Sequence, residues 1–325
     1  MTESLARFLV YNLGASVLGG LWALALVFAA IHVFGVSRAV TRNRLLTIPL
    51  IKSSLVLLGL CTVMPFPADT WRVFQANAID FANIAPIFLL LLGLLVLGWP
   101  FVRSRAASRL LEDATPVGAG ARSWNALQDV MRGFETRGQV SCGGFRLQDQ
   151  VPVPEVFESR DRTSVAIVDG NRPSLLLPAR LVEELDDEEL EGVLAHEVAH
   201  LALNRPSGCC DPVWLRPLNW LNPTSFAVGR LLASQEELAC DELAARVTEK
   251  PEALASALLK AYRFEKRGAR RFLPDLLAAH FVERKGLLKR RIDRLTNGPA
   301  ATVPESPLRV WTAWVVVVVL AFTTT

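Results

Sequence analysis

The chain has few of the residues that stabilise small secreted domains or bind metals through sulfur. Its 325 residues include five cysteines, and none of them belongs to a C-x-x-C pair. An odd, scattered set of cysteines argues against a disulfide framework and against a cysteine-based zinc site. It fits a compartment in which thiols stay reduced, such as the cytosol.

Charged residues are absent from long stretches. Leu9–Ser37 and 81–102 contain no Asp, Glu, Lys or Arg. A helix of about 20 apolar residues spans a bilayer core, so these two runs, and 45–65 with Lys52 near its start, predict three transmembrane helices. A fourth apolar run begins at Val310 and, at about 1.5 Å per residue, is a marginal span. For this fourth run a buried core helix is the alternative.

The basic residues of the short loops predict the orientation of the spans. The loop between the second and third spans has only Arg72, against Asp69 and Asp80. The other basic residues lie in the first loop and directly after the third span: Arg38, Arg42, Arg44, Arg103, Arg105 and Arg109. This distribution predicts a cytoplasmic location for the first loop and for everything after the third span, with the N-terminus outside. The first run is too long for the apolar part of a signal peptide. Topology also accounts for the net charge of +3, so no nucleic-acid partner is expected.

The segment after the third span has mixed patterns. Two short runs, 163–170 and 173–178, predict strands, and the prolines that bound the second favour an edge strand. Asp186 and Glu189 have the spacing of a capping box at a helix start. Further helices are predicted over about 224–248, over about 251–267 and in the basic segment KGLLKRRIDRL.

The fold class predicted from these patterns is α+β and mainly helical, with multi-pass transmembrane helices joined to a domain that has a small sheet. The expected divisions are a membrane unit over 1–102, a cytoplasmic domain over 103–307 and a fourth, short or truncated span over 308–325.

The run HEVAH, His196–His200, places two of the four histidines of the chain four residues apart. At 3.6 residues per turn, both imidazoles lie on one helix face and can reach one cation. A catalytic zinc site binds imidazoles and keeps one position for water. Glu197 is next to the first histidine and can act on that water as a general base. The alternative is an ordinary amphipathic helix with two surface histidines.

A second acidic segment, SQEELACDELAARV, offers a third ligand. Glu237 and Asp241 lie four residues apart and share a helical face. We predict that Glu237 binds the zinc ion and that Asp241 accepts a hydrogen bond from a ligand imidazole and so fixes its tautomer. Glu236 competes for the ligand role but points about 100° away. A merely solvated acidic helix is the remaining alternative.

Together these segments resemble the integral-membrane zinc peptidases of the BlaR/MecR type, which are gluzincin-like metallopeptidases of β-lactam-responsive bacterial receptors and their relatives. The matching features are Leu177–Pro178 before the first helix, the H-E-x-x-H run, the W-x-N-P run at 220–223, E-L-A-C-D at 237–241, and LLKRRIDRL at 287–295. The receptors continue past a fourth span into an extracellular sensor. This sequence stops at Thr325 and has no S-x-x-K motif, so direct acylation by a β-lactam is not expected.

The resemblance implies a zincin-like metallopeptidase domain with one Zn²⁺ per chain. His196, His200 and Glu237 would be the ligands, Glu197 the catalytic base, and Asp241 a partner of a ligand imidazole. The resemblance further implies an endopeptidase of the bacterial plasma membrane that cuts a cytoplasmic protein, either a transcriptional repressor or itself, in signal transduction. The lipid bilayer is then a partner, and a homodimer or a separate sensor protein are the further candidates.

The predicted edge strand offers a binding site for substrate. Ser174, Leu175, Leu176 and Leu177 would pair with an extended peptide by strand addition. The alternative is core packing of Leu175 and Leu177, and the alternation of side chains along a strand allows both.

Two other functions stay open. One is a zinc peptidase for quality control of membrane proteins. The other is a non-catalytic membrane signalling adaptor with a vestigial site, although a decayed site would have no need to keep Glu197 beside both histidines and Glu237.

Overall fold

The computed structural model describes residues 2–57, 111, 113–137, 141–142, 145–146, 151–162, 164–168, 173–204, 222–269, 278–297 and 306–322. The predicted third span, 81–102, and the end of the second, 58–65, lie outside these residues. The chain divides into two compact units, each described by itself below. The first consists of Met1–Pro100, Gly208–Glu236 and Val303–Thr325, and the second of Phe101–Ser207 and Glu237–Thr302. The domain limits at 102 and 307 stay predictions.

The described residues form helices and short strands, numbered here in chain order. The helices are α1 Thr2–Val33, α2 Ala39–Leu57, α3 Arg122–Arg137, α4 Ala179–Glu184, α5 Asp187–Asn204, α6 Pro223–Thr248, α7 Pro251–Ala269, α8 Ala278–Thr296 and α9 Pro307–Phe322. The strands are β1 Thr115–Pro116, β2 Ser141–Cys142, β3 Phe145–Arg146, β4 Glu155–Ser159, β5 Ala166–Val168 and β6 Ser174–Pro178. The fold is therefore mainly helical with a small mixed sheet, as predicted.

The first unit packs α1, α2, α9 and the beginning of α6 around one apolar core. Its buried residues include Ala23, Val27, Leu45, Ile48, Val228, Leu232, Ala313 and Val317. The segment Leu13–Val33 is long and apolar enough to cross a membrane, and it is the one such helix in the described part of the chain. The apolar helix α9, Pro307–Phe322, is shorter. The multi-pass layout therefore stays a prediction.

Polar groups tie the elements of this unit together at helix ends. Asn222 is fully buried and caps α6, since its Oδ1 accepts the backbone N–H of Thr224 at 2.9 Å while its Nδ2 donates to Ser16 Oγ at 2.9 Å. Lys52, also fully buried, donates from Nζ to the carbonyl of Ala321 at 2.7 Å, in the last turn of α9. A cation at this position satisfies a carbonyl that the helix leaves without an internal partner.

The second unit contains a four-stranded sheet in the order β1-β4-β6-β5, and β2 and β3 form a separate antiparallel pair. β4 and β6 run parallel, whereas β5 is antiparallel to β6 and β1 is antiparallel to β4. Helices α3, α5 and α7 contribute to the core beside this sheet. Leu127, Val130, Leu175, Leu177, Leu190, Leu194, Val198, Leu243 and Leu254 are among its buried residues.

The position of β6 contradicts one prediction. Ser174–Leu177 was predicted to form an edge strand that receives substrate, but β6 lies between β4 and β5 and is paired on both sides. Its three leucines are at most 1% exposed. The two prolines do not interrupt the ladder because Pro173 precedes the strand and Pro178 is its last residue. An apolar run without alternation is typical of a strand buried on both faces, and core packing is the interpretation that the structure supports.

The start of α5 is fixed by the predicted capping box. Glu189 Oε2 accepts the backbone N–H of Asp186 at 2.9 Å, and Asp186 Oδ1 accepts the backbone N–H of Glu189 at 2.8 Å. Glu189 also accepts hydrogen bonds from Lys260 and Ser256 of α7. Arg122 of α3 adds an ion pair at 2.6 Å to Asp187, in the first turn of α5. The helix that carries both histidines is therefore held at its N-terminus by two neighbouring helices.

Close packing fixes the middle of α5 against α7. A Cβ atom added at Gly192 would lie 3.1 Å from Leu254 Cα and 3.4 Å from Leu254 Cβ. Because these are atoms of the neighbouring helix backbone and its first side-chain carbon, they cannot rotate away. The absence of a side chain at Gly192 lets the two helices approach closely one turn before the first histidine.

A substitution at this crossing tests the packing. Gly192→Leu is expected to lower the free energy of unfolding by about 1–3 kcal/mol, because overpacking forces the helix backbones apart. Gly286→Leu on α8 is the matched control, since it makes the same gain in helix propensity and a Cβ atom there meets nothing within 4 Å. Thermal unfolding of both variants measures the difference. Equal melting temperatures would contradict the close α5–α7 approach.

Candidate metal centre

Two helices of the second unit bring three metal-binding side chains together. α5 supplies His196 and His200, and α6 supplies Glu237. One candidate ligand atom from each residue lies within 4.8 Å of the others. Glu237 Oε2 is 3.5 Å from His196 Nε2, and Glu237 Oε1 is 3.6 Å from His200 Nε2. The structure thus brings together the three residues predicted as ligands, and their role as ligands stays a prediction.

The separations are small enough for the three side chains to share one ion. Nitrogen and oxygen ligands at about 2.0–2.2 Å from zinc lie about 3.3–3.6 Å from one another when the coordination is tetrahedral. The two imidazole-to-carboxylate distances, 3.5 and 3.6 Å, agree with this value and involve different oxygens of Glu237, and one ligand atom from each residue lies within 4.8 Å of the others. The imidazole rings are 4.9 Å apart between centroids and nearly perpendicular, at 88°. Two imidazoles and one carboxylate form the ligand set of many catalytic zinc sites.

Asp241 lies one turn after Glu237 and contacts the other side of the first imidazole. Its Oδ1 is 3.0 Å from His196 Nδ1. A proton on Nδ1 that is donated to this carboxylate leaves the lone pair of Nε2 free for a metal ion, and the Nε2 atom is the one that faces Glu237. This contact is the one predicted for Asp241 from its helical spacing.

Arg291 of α8 completes the centre, and the sequence reasoning did not identify it. Its Nε and Nη2 donate to Asp241 Oδ2 and Oδ1 at 2.7 and 2.8 Å. Its Nη1 is 2.8 Å from Glu237 Oε2. Its Nη2 also lies 3.2 Å from His196 Nε2. The guanidinium therefore contacts Glu237, Asp241 and the first histidine.

The sequence contains an indication that Arg291 belongs to the site, but the indication is not specific. It belongs to the segment LLKRRIDRL, which carries four basic side chains, and helical periodicity alone does not show which of them is directed to the site. In the structure the side chain of Arg291 is 12% exposed, whereas the neighbouring Lys289 and Arg290 are exposed. A basic residue on the apolar face of α8 was the signal that could have identified it.

The carboxylates of Glu237 and Asp241 are held in their charged form. Burial acts to raise the pKa of Glu237, but the hydrogen bond from His196 and the charge of Arg291 outweigh it and lower the pKa to about 2. Burial likewise acts on Asp241, where hydrogen bonds from Arg291 and His196 lower the pKa to about 2. Both groups remain anionic at neutral pH, as a metal ligand and its neighbour require.

His196 and Glu197 shift in the opposite direction. Burial acts to lower the pKa of His196, but hydrogen bonds to Asp241 and Glu237 raise it to about 9. Burial raises the pKa of the Glu197 carboxyl above its ordinary value. A carboxyl group whose pKa moves towards neutrality is a better general base than one with the ordinary value.

Comparisons with known proteins bear on the segment that carries this site. Residues 163–295 match the family model described as BlaR1 peptidase M56. The resemblance inferred from the sequence is therefore confirmed over this segment, which is similar to the M56 peptidases. The matched residues include His196, Glu197, His200, Glu237, Asp241 and Arg291.

Curated relatives are similar over 34–40% of the chain. Plastoglobule-localized metallopeptidase 48 of Arabidopsis thaliana is 30% identical over 34% of this chain and 33% of its own length. A Protease HtpX homolog of Tropheryma whipplei is 31% identical over 34% of this chain and 50% of its own length. A Protease HtpX homolog of Levilactobacillus brevis is 25% identical over 40% of this chain and 38% of its own length. The chain thus spans a third to a half of the length of these relatives. No solved structure matches it significantly.

The pKa of His196 predicts how the stability of the metal-free protein depends on pH. The pKa rises from 6.5 to about 9 on folding, so the stabilisation is fully present below pH 6.5 and is lost as the pH rises through 9. We expect the melting temperature of chelator-treated protein to fall between these values. His196→Gln should remove that part of the decline. A melting temperature that is constant across this range in the wild type would contradict the assignment.

Proposed function

We propose that this chain is a membrane-associated zinc metalloendopeptidase. The observation that carries the proposal is the convergence of His196, His200 and Glu237 at separations small enough to share one ion, with Glu197 beside the first histidine. The similarity of residues 163–295 to the M56 peptidases and the relatives named as a metallopeptidase and as HtpX proteases support it. Ligand type and spacing favour zinc over the hard cations, which prefer oxygen ligands.

The residues of the site divide the work of peptide hydrolysis. A bound zinc ion would supply Lewis-acid polarisation of the scissile carbonyl and would lower the pKa of water. The two histidines and Glu237 hold the ion, and Asp241 keeps the His196 ring in one orientation. Glu197 accepts a proton from the attacking water and returns it to the leaving amine. Its raised pKa favours the first of these transfers, the uptake of the proton from water.

The proposed setting is the bacterial plasma membrane, with several spans, the N-terminus outside and the peptidase domain in the cytoplasm. The apolar helix Leu13–Val33, the shorter apolar helix α9 and the basic loops of the sequence support it. The substrate is then a cytoplasmic protein, and the family resemblance favours a transcriptional repressor or the chain itself. A sensor protein or a second copy of the chain would deliver the signal.

We propose β5, and not β6, as the strand to which a substrate adds. Among the described strands of this sheet, β5 pairs with β6 on one side, and β1, at the other end of the order, is two residues long. An extended peptide that pairs with Ala166–Val168 would gain main-chain hydrogen bonds without displacing a strand. Endopeptidases act on extended peptides, so this edge is the proposed substrate-binding element.

A second candidate function keeps the chemistry and changes the substrate. It is the quality control of membrane proteins, and the relatives named Protease HtpX homolog support the protease activity that this role requires. Capture of bound proteins by a Glu197→Gln variant separates the two: a transcription regulator supports signalling, whereas misfolded membrane proteins support quality control. A non-catalytic adaptor predicts that the purified protein binds no zinc.

The metal content of two neighbouring variants tests the ligand set. Glu237→Gln is expected to lose the single zinc ion of the purified wild type, because an amide is a much weaker zinc ligand than a carboxylate. Glu236→Gln removes the adjacent carboxylate of the same helix and should retain the metal. Elemental analysis of both proteins measures the outcome. Loss of zinc from the Glu236 variant alone would reverse the assignment.

The role of Glu197 predicts a separation of binding from catalysis. Glu197→Gln is expected to retain one zinc ion and to lose about 10²–10⁴-fold of the hydrolysis rate, the usual contribution of a general base. His200→Ala should lose both zinc and activity. Cleavage of a fluorogenic unfolded protein in detergent, together with metal analysis, measures this. A Glu197→Gln variant as active as the wild type would remove the proposed base.

A further inference from the structure

Arg291 occupies a position that the proposed chemistry does not explain. It comes from α8, far along the chain from the ligands, and its three guanidinium nitrogens each have a partner in the centre. Nε and Nη2 donate to the two oxygens of Asp241, at 2.7 and 2.8 Å, and Nη1 lies 2.8 Å from Glu237 Oε2. A planar fork of this kind fixes the orientation of the carboxylate that it contacts.

We infer that Arg291 is a positioning residue of the metal centre, which orients Asp241 towards His196 and holds Glu237 at the ligand position. The inference rests on the proposed function, because it assumes that His196, His200 and Glu237 bind a metal ion. It adds a residue of α8 to a site otherwise built from α5 and α6.

The shared oxygen of Asp241 is the first step of the argument. Asp241 Oδ1 accepts from Arg291 Nη2 at 2.8 Å and lies 3.0 Å from His196 Nδ1. Because Arg291 also holds the other oxygen, the carboxylate cannot rotate away from the imidazole without breaking a two-point contact. The His196 ring therefore keeps its Nδ1 atom on Asp241 and presents Nε2 towards Glu237.

Burial makes this orientation necessary. The side chain of Asp241 is 4% exposed and that of His196 is 7% exposed, so water does not compete for either group. A buried carboxylate without a cationic partner is costly and would protonate or move. Arg291 removes both alternatives, and it does so from a helix other than the two that carry His196, His200 and Glu237.

The shape of the side chain matters beyond its charge. A lysine at this position would keep the positive charge, but a single ammonium group cannot hold both oxygens of Asp241 and Oε2 of Glu237 in one plane. The positive charge of Arg291 by itself lowers the affinity for zinc, because a cation near the site repels a metal ion. Arg291→Lys keeps that repulsion and removes the fork, so it isolates the positioning role.

The decisive experiment measures metal binding by Arg291→Lys in the purified full chain. Zinc affinity, determined by competition with a chelator, is expected to fall about 10–100-fold, as for other residues that orient a metal ligand. The visible absorption of the Co²⁺-substituted protein, which reports ligand geometry, should change as well. A zinc affinity within about 3-fold of the wild type, together with an unchanged cobalt spectrum, would overturn the inference.

Arg294→Lys is the matched control. Arg294 lies three residues further along α8 and pairs with Glu242 of α6 at 3.0 Å, so the same two helices are joined by a comparable ion pair. Among the described residues its ion-pair partner is Glu242, which is not one of the three predicted ligands. Its substitution should leave zinc affinity and the cobalt spectrum unchanged. Equal losses in the two lysine variants would mean that α8 packing, and not the fork of Arg291, supports the site.

A double-mutant cycle tests whether Arg291 acts through its neighbour. Asp241→Asn alone is expected to weaken zinc binding, and Arg291→Lys should have a smaller further effect in that background, because coupled residues are not additive. Part of its effect should remain, since Arg291 also contacts Glu237. Full additivity would overturn the inference that Arg291 orients Asp241. If Arg291→Lys does not fold, Arg291→Gln replaces it. Loss of a cation alone would strengthen metal binding, so a fall in zinc affinity still shows positioning, and an unchanged or higher affinity overturns it.

The outcomes separate this inference from the proposed function. A wild-type protein that binds neither Zn²⁺ nor Co²⁺ overturns both. A wild type that binds both ions while Arg291→Lys is unaffected overturns the positioning role alone and leaves the peptidase proposal intact.

Discussion

Two carboxylates one helical turn apart on α6 set the conditions for the whole centre. Asp241 is buried and Glu237 is 30% exposed, and the effective cost of burying a charge is roughly several kcal/mol for each ion. Their partners come from α5 and α8, so the charges can be buried only if three helices meet at one point. The need to pair these two charges therefore brings α5, α6 and α8 together at the site.

The local structure of α5 fixes the position of the two histidines. Its first turn is closed by Asp186 and Glu189 and is bound by Lys260 of α7. Gly192 then allows the helix to approach Leu254 without a side chain between them. With the start and the middle of the helix fixed, the histidines one and two turns further on have little freedom. Sequence signals of modest specificity thereby produce a specific arrangement of ligand atoms.

How far the sequence predicts the structure depends on the distance along the chain over which each interaction acts. The capping box and the shared face of His196 and His200 follow from spacing within one helix, and both could be predicted. The limits of α6 agree with the periodicity to within one residue at its start, because helical period and the cap at Asn222 are local features.

The errors involve contacts between distant segments. β6 was assigned to a sheet edge on the evidence of its prolines, but its neighbours are decided by β4 and β5, which no local signal of β6 specifies. Arg291 was missed for the same reason. Its partner Asp241 is 50 residues away, and a basic residue in a basic segment is ordinarily solvated. Its place on the apolar face of α8 is the one local difference from Arg290, and its partners are decided by tertiary packing.

Stability alone does not account for such a cluster. A buried network of charges is generally no more stabilising than well-packed apolar side chains of similar volume, and removing one member is strongly destabilising. A scaffold selected only for its fold would therefore gain nothing from His196, Asp241 and Arg291 in place of an apolar core. The centre instead directs two imidazole nitrogens and a carboxylate towards one point and leaves His200 and Glu237 21% and 30% exposed. Fixed ligands with an accessible side are what a site for binding and chemistry requires, and this asymmetry argues for the enzyme and against the adaptor.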